Sequence, residues 1–298
     1  KRAEGGVSVM TWISLIGITL AVFALVATLS VRSGFRTEIV DTILGANSHI
    51  TLYKAPSKDQ YGNVSRTFKD YDEIASNLLS LPSVKGSAPL IRSQIMATFD
   101  NRNTGLEVFG ISYENLLRLD RIAKPEEFEG DMNDFKNGIA IGSGVARELG
   151  VKVGDSIKLI SPNGVRTAFG TSPRVKQFKI VYIFTAGRYD IDRTRSYLPF
   201  SVAQEYFNRE GLADEIEVLL NNPSNLTEAT SQIENVVAPD VQLWTWRDAS
   251  SSFLRALEIE DNVMFVLMSI LVMIASMNII SGLIMLVKNK GRDIGILR

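Results

Sequence analysis

Residues 262–287, NVMFVLMSILVMIASMNIISGLIMLV, run for 26 positions without a charged side chain, and residues 7–31, VSVMTWISLIGITLAVFALVATLSV, run for 25. A helix needs about 20 largely apolar residues to cross a hydrocarbon core roughly 30 Å thick, so each stretch is long enough to span a bilayer. A cleaved signal peptide carries an apolar region of only about 7–15 residues, which the first run exceeds. A core helix of a globular domain keeps a polar face, and the second run has none. The reading is two spanning helices, with residues 32–261 between them.

Lysine and arginine close to the spans orient them. Lys1 and Arg2 precede the first span, and Lys288, Lys290, Arg292 and Arg298 follow the second. On the other side Arg32, Arg36 and Arg255 are interleaved with acidic residues. Both ends are therefore expected in the cytoplasm and the middle segment outside. Taking the six terminal cations from 32 Lys+Arg leaves 26, and taking Glu4 and Asp293 from 33 Asp+Glu leaves 31, so the outer segment carries a net charge of −5. That balance argues against nucleic acid as a partner. There is no cysteine, which removes disulfides, thiol chemistry and cysteine-ligated metals. A chain that stops at Arg298, just after the second span, is expected to be part of a longer polypeptide.

The first helix is expected to outrun the membrane, because Phe35, Ile39 and Ile43 continue at helical spacing towards Gly45, a C-terminal cap. Phe253, Leu254, Leu257 and Asp261 repeat that spacing before the second span, giving two stalks. Between them, strand, helix and strand patterns at 49–111 recur at 215–246. The expected class is an α+β membrane protein. Two transmembrane helices with helical stalks flank an outer domain, made of a split α+β subdomain and an inserted small β-rich subdomain. The boundaries read as 1–6 cytoplasmic, 7–31 span, 32–46 stalk, 47–129 first half, 130–200 insertion, 201–247 second half, 248–261 stalk, 262–287 span and 288–298 cytoplasmic.

Catalytic signatures are missing. His49 stands alone at the start of a strand, where a packing or surface role is expected. HExxH, GxSxG and Walker A patterns do not occur. Gly142 and Gly144 imitate a phosphate loop, but the next glycine falls at 150 rather than 147, so the dinucleotide fingerprint fails. No cofactor is expected in this chain, and any ATP hydrolysis must come from another.

Three stretches resemble the LolC/LolE family, membrane subunits of the lipoprotein-releasing ABC transporter, within the wider class of MacB and FtsX permeases. They are residues 15–45, residues 246–262 running into 269–298, and residues 140–162, AIGSGVARELGVKVGDSIKLISP. The resemblance implies a multi-pass bacterial inner-membrane subunit with a large periplasmic domain and no catalysis of its own. It implies as partners a separate ATPase dimer of the LolD type holding ATP and Mg, a second LolC/LolE-type subunit, a periplasmic carrier of the LolA type, lipoprotein cargo and membrane lipid.

Three sets of residues match roles in that family. The loop 161–177, SPNGVRTAFGTSPRVKQ, is similar to a protruding hook that grasps the carrier. Pro162, Thr167, Ala168, Phe169, Gly170 and Pro173 would form the hook and Arg174 and Lys176 its basic base, the prolines reducing the entropy lost on binding. The segment KNKGRDIGILR, 288–298, occupies the position of the ATPase-coupling element, with Lys290, Arg292, Asp293, Ile294, Ile296 and Leu297 as contacts. Here Gly295 weakens the helix by about 1 kcal/mol relative to alanine, and the cations suit anionic lipid equally well. Leu25, Phe35, Met264, Met268 and Asn278 would line a cavity for acyl chains, which flexible thioethers suit. The alternatives are MacB-like efflux, FtsX-like control of a hydrolase, and a two-span sensor.

Overall fold

The computed structural model describes residues 2–58, 64–167 and 170–296, and divides into two units, Lys1–Ile39 with Ser250–Arg298, and Val40–Ala249. In the first unit, helix α1 covers Arg2–Ala46 and a helix of similar length, the last in the chain, covers Ser251–Ile296. Both are long and apolar enough to cross a membrane, over Leu15–Phe35 and Ser251–Ile284. At 1.5 Å per residue the 45 residues of α1 extend about 68 Å, more than twice the hydrocarbon thickness. Large apolar side chains such as Phe23 and Phe265 are exposed, a surface suited to lipid or to other helices. Four of their hydroxyls bond within the helix: Thr19, Thr28, Ser269 and Ser276 each donate to the carbonyl four residues earlier, at 2.7–2.8 Å. Arg32 and Asp261, at the borders of the two apolar runs, form an ion pair between the helices.

The second unit is built on one ten-stranded sheet. In chain order its elements begin with β1 (Ile50–Lys54), a small hairpin of β2 (Ser57–Lys58) and β3 (Val64–Ser65), α2 (Tyr71–Leu79), β4 (Val84–Phe99) and β5 (Arg102–Ile111). There follow α3 (Tyr113–Leu116), α4 (Asp120–Ala123), β6 (Glu127–Gly130), a 3-10 turn at Met132–Asn137, β7 (Ile139–Gly142) and α5 (Ser143–Leu149). The long hairpin of β8 (Ser156–Thr167) and β9 (Gly170–Thr185) leads to α6 (Tyr189–Thr194), β10 (Arg195–Pro199) and α7 (Phe200–Tyr206). The last elements of this unit are β11 (Glu215–Leu220), α8 (Leu226–Glu234), β12 (Val241–Thr245) and α9 (Trp246–Ala249), after which the chain enters α10, the 46-residue helix of the first unit.

The strands lie in the order β12-β1-β11-β4-β5-β10-β7-β9-β6, with β8 bridging β4 and β9. The first and last pieces of the outer sequence therefore pair directly, β11 running antiparallel to β4 from Leu220↔Val84 to Glu215↔Leu90. The strands between them join the same sheet through β10 on β5 and β8 on the far end of β4. The boundary around the insertion is thus a change of neighbour along β4 and not a break in hydrogen bonding. Because side chains alternate across a strand, β4 serves two cores. Ile91, Ile95 and Ala97 pack with Val108, Ile141 and Leu159, while Leu90 faces Phe109, Phe135, Tyr182 and Tyr197.

His49 is buried where β1 begins. Its Nδ1 accepts from the Leu220 N–H at 2.8 Å, which requires the neutral ring, and its carbonyl accepts from Trp246 N–H at 2.9 Å. Burial, aided by the positive charge of Lys85, lowers its pKa from 6.5 to about 4. In the unfolded chain it takes up a proton as pH falls below about 6.5, whereas the folded chain resists until pH 4. The stability tied to His49 is complete above pH 6.5 and about 3 kcal/mol lower at pH 4. Urea unfolding at pH 7.5 and 4.5 checks this. His49→Asn, which keeps an acceptor but does not titrate, is expected to lose less stability than the wild type over that interval.

Candidate functional site

The β8–β9 hairpin is the element on which the hook was read. Its register runs from Ser156↔Lys179 to Ser161↔Arg174, shifts, and resumes from Val165↔Ser172 to Thr167↔Gly170. Gly164 sits in the shifted segment, where a Cβ would collide with the Ser172 carbonyl, so the close approach of the two strands requires glycine. The apex residues Ala168 and Phe169 lie outside the described residues. At the foot, Pro162 and Pro173 are exposed and border a groove of about 650 Å³ whose other walls include Met96, Leu106 and Ile160. Gly105 also lines this groove, and its α-carbon faces open space.

Of the two cations at the base of the hairpin, Arg174 is turned inward. Arg174 is partly buried, and its Nη1 donates to the carbonyls of Glu205 at 2.7 Å and Tyr206 at 3.0 Å. Its Nη2 donates to Asn208 Oδ1 at 2.5 Å. A guanidinium is well suited to this position, since the final carbonyls of α7 have no partner within the helix and carry partial negative charge. Lys176 pairs with Glu205 Oε1 at 3.2 Å and lies 5.7 Å from the centre of the Phe178 ring. Tyr206, which sequence reasoning did not single out, completes the anchor by donating its hydroxyl to the Leu159 carbonyl at 2.8 Å. Burial pushes that phenol up to about 12. The hairpin is thus clamped to α7 at its root, and Arg174 is occupied by that clamp.

The glycines that imitated a phosphate loop have a packing reason. Gly142 precedes α5, and a Cβ on it would run into the carbonyl of Asp192, while one on Gly144 would meet the backbone of Asp192 and Arg193. The two glycines let α5 and α6 approach backbone to backbone.

A buried charged cluster was also not foreseen. Glu215 of β11 is 2% exposed, and Arg92 Nη1 stands 3.6 Å from its Oε2. Arg92 spends Nε and Nη2 on Glu107 Oε1, at 2.8 and 2.6 Å, and its Nη1 lies 3.4 Å from the Tyr53 hydroxyl. The guanidinium carbons of Arg92 and Arg195 lie 5.2 and 4.7 Å from the centre of the Phe109 ring. Burial raises the Glu215 pKa against the opposing pull of Arg92. Burial, reinforced by Glu215, pushes Glu217 up to about 7.

Helix α10 continues through Gly291 and Gly295 to Ile296, carrying Lys290, Arg292, Asp293 and Ile294 in its final turns, and Leu297 lies outside the described residues. Of the residues assigned to an acyl cavity, Leu25 and Phe35 lie on α1 and Met264, Met268 and Asn278 on α10. Leu25, Met264 and Met268 are partly buried and Phe35 is exposed. Among the described residues no group of His, Asp and Glu is arranged to hold a metal ion.

A sheet-based α+β unit lies in the sequence between two helices long and apolar enough to cross a membrane. Residues 11–236 match the family model for the MacB-like periplasmic core domain, and the chain belongs to that family. Over its whole length it is similar to the lipoprotein-releasing system transmembrane protein LolC of Neisseria meningitidis serogroup B. Identity is 26% over 303 residues, covering 100% of this chain and 70% of the relative. LolE of Haemophilus influenzae is 27% identical over 306 residues, covering 100% and 71%. The periplasmic region of MacB from Actinobacillus actinomycetemcomitans superposes with a TM-score of 0.44 at 10% identity, covering 72% of this chain and 97% of that one. The resemblance to LolC and LolE drawn from three stretches thus extends along the entire chain.

Proposed function

We propose that the chain is a non-catalytic transmembrane subunit of a lipoprotein-release complex in the bacterial inner membrane. In this reading the outer unit is periplasmic and passes lipoproteins, drawn from the outer leaflet, to a soluble carrier gripped by the β8–β9 hairpin. A separate ATPase dimer binds ATP and Mg and engages the end of α10 through Lys290, Arg292, Asp293, Ile294, Ile296 and Leu297. A second LolC/LolE-type subunit completes an acyl-lined cavity with Leu25, Phe35, Met264, Met268 and Asn278. The parts of α1 and α10 that exceed a membrane span act as stalks. The observation that carries the reading is the similarity to LolC over 100% of the chain.

The test is reconstitution of the complete subunit with its ATPase and partner subunit in vesicles loaded with a lipoprotein. Lipoprotein is expected to reach the soluble fraction only when ATP and the carrier are both present. Release that ignores the carrier, or a crosslink from position 169 to an outer-membrane channel or a cell-wall hydrolase, would replace this reading with efflux or hydrolase control. The match to the MacB-like core domain favours efflux as the second reading.

A further inference from the structure

Along α1 the side chains of Ile18, Leu25 and Arg32 are half-buried at intervals of seven residues, whereas Leu20, Phe23, Leu29 and Val31 between them are exposed. Along α10 Leu257 is buried and Asp261, Met264, Met268 and Ala275 are half-buried, at steps of four, three, four and seven, while Ile259, Phe265, Leu267 and Met273 are exposed. A covered line that returns every seven residues is the mark of two helices that wind around each other along one seam. The ion pair between Arg32 and Asp261 fixes how the two lines meet. Successive spans of one chain cross a bilayer in opposite directions, so equal steps from that pair bring Leu25 opposite Met268 and Ile18 opposite Ala275. The seam therefore has a charged layer at the border of the apolar runs, followed by apolar layers within them.

Apolar layers alone set no register. Lipid tails are as apolar as leucine, so a slide of one heptad exchanges one set of aliphatic contacts for another. The charged layer does set it. A slide of seven residues puts Arg32 against Met268 in one direction and Asp261 against Leu25 in the other, and each strands a charge beside hydrocarbon. We propose that the Arg32–Asp261 pair is a register lock. It holds α1 and α10 in a single antiparallel alignment, so that the two helices shift along their axis as one strut and slide past each other only when the pair is broken. The two side chains are 27% and 38% exposed, so water can replace either partner and the lock is reversible. Leu25, Met264 and Met268 are only half-buried and keep an open side for the cavity proposed above. The inference concerns the two helices alone and does not rest on the identity of the cargo.

The experiment is disulfide crosslinking of the complete subunit in its membrane with a mild oxidant, and this chain contributes no cysteine of its own. Leu25→Cys with Met268→Cys is expected to crosslink. The slipped pairs, Leu25→Cys with Ala275→Cys and Ile18→Cys with Met268→Cys, are expected to crosslink at least about fivefold less, because seven residues along a helix span about 10.5 Å, beyond the reach of a disulfide. Arg32→Asp sets two carboxylates against each other and is expected to lower the native crosslink about fivefold and to raise a slipped one. Combining Arg32→Asp with Asp261→Arg is expected to restore the original pattern. The crosslinked fraction is read per inserted protein, and should Arg32→Asp insert poorly, the milder Arg32→Gln takes its place with a shift expected in the same direction. A native crosslink absent from the parent, a pattern indifferent to the loss of Arg32, or an exchanged pair that does not restore it would overturn the proposal.

Discussion

Excision of residues 163–172, with Pro162 and Pro173 rejoined through a two-residue turn, is expected to abolish capture of the soluble carrier in a pull-down while leaving the outer unit folded. The effect is large because interfaces concentrate their energy in a few anchors, each worth about 2–4 kcal/mol, and the excised loop holds the one aromatic at the apex. A loss of that size corresponds to roughly 30- to 1,000-fold in affinity. The fold survives because the clamp lies outside the deletion, in Arg174 on the carbonyls of Glu205 and Tyr206 and in Tyr206 on Leu159. A thermal melt close to the wild type, together with lost capture, is the outcome required. Capture at wild-type strength would refute the assignment of the hook.

Arg92→Ala is expected to be the most damaging single substitution considered for stability. It leaves Glu215, 2% exposed, without its cation. Breaking a buried pair from one side costs about 3–5 kcal/mol, and the lower end applies because Arg92 itself is 39% exposed. The deficit has a pH signature. Burial already raises the Glu215 pKa, and loss of Arg92 raises it further, so the folded variant takes up a proton at a pH where the unfolded chain has none. Its deficit therefore shrinks as pH falls towards the ordinary glutamate value of about 4.5. Urea unfolding at pH 8 and pH 5.5 measures the difference. Adding Glu215→Gln is expected to recover much of the loss at pH 8 and to remove the pH dependence of the deficit. A deficit that does not vary with pH would show that lost packing, not the stranded charge, governs the site.

The membrane helices were legible because composition alone decides them: a charge-free run of 25 residues has few other uses. The strands were legible where alternation is regular. The same regularity concealed the charged cluster, since Glu215 and Glu217 in EIEVLL look like the solvent side of a strand. They are drawn in because this sheet is covered on both faces, and Arg92, which meets Glu215, lies on a strand distant in sequence. The partners of Arg174 were hidden for a related reason. A cation in a polar loop reads as exposed, and only the fold brings the end of α7 to it. For Gly142 and Gly144 the spacing was visible, but the reason for it was not, because it is the close approach of the backbone at Asp192.

The sixteen residues of β4 hold β11 at one end and β8 at the other. At about 3.3 Å per residue that is a tie-bar some 53 Å long. Tension applied at the root of the hairpin passes into β11 along the strand axis, so its ladder of bonds is loaded in shear, all rungs together. To peel them one at a time the pull would have to come from the side. The strand that joins the two halves in hydrogen bonding also lets one be tugged without tearing from the other.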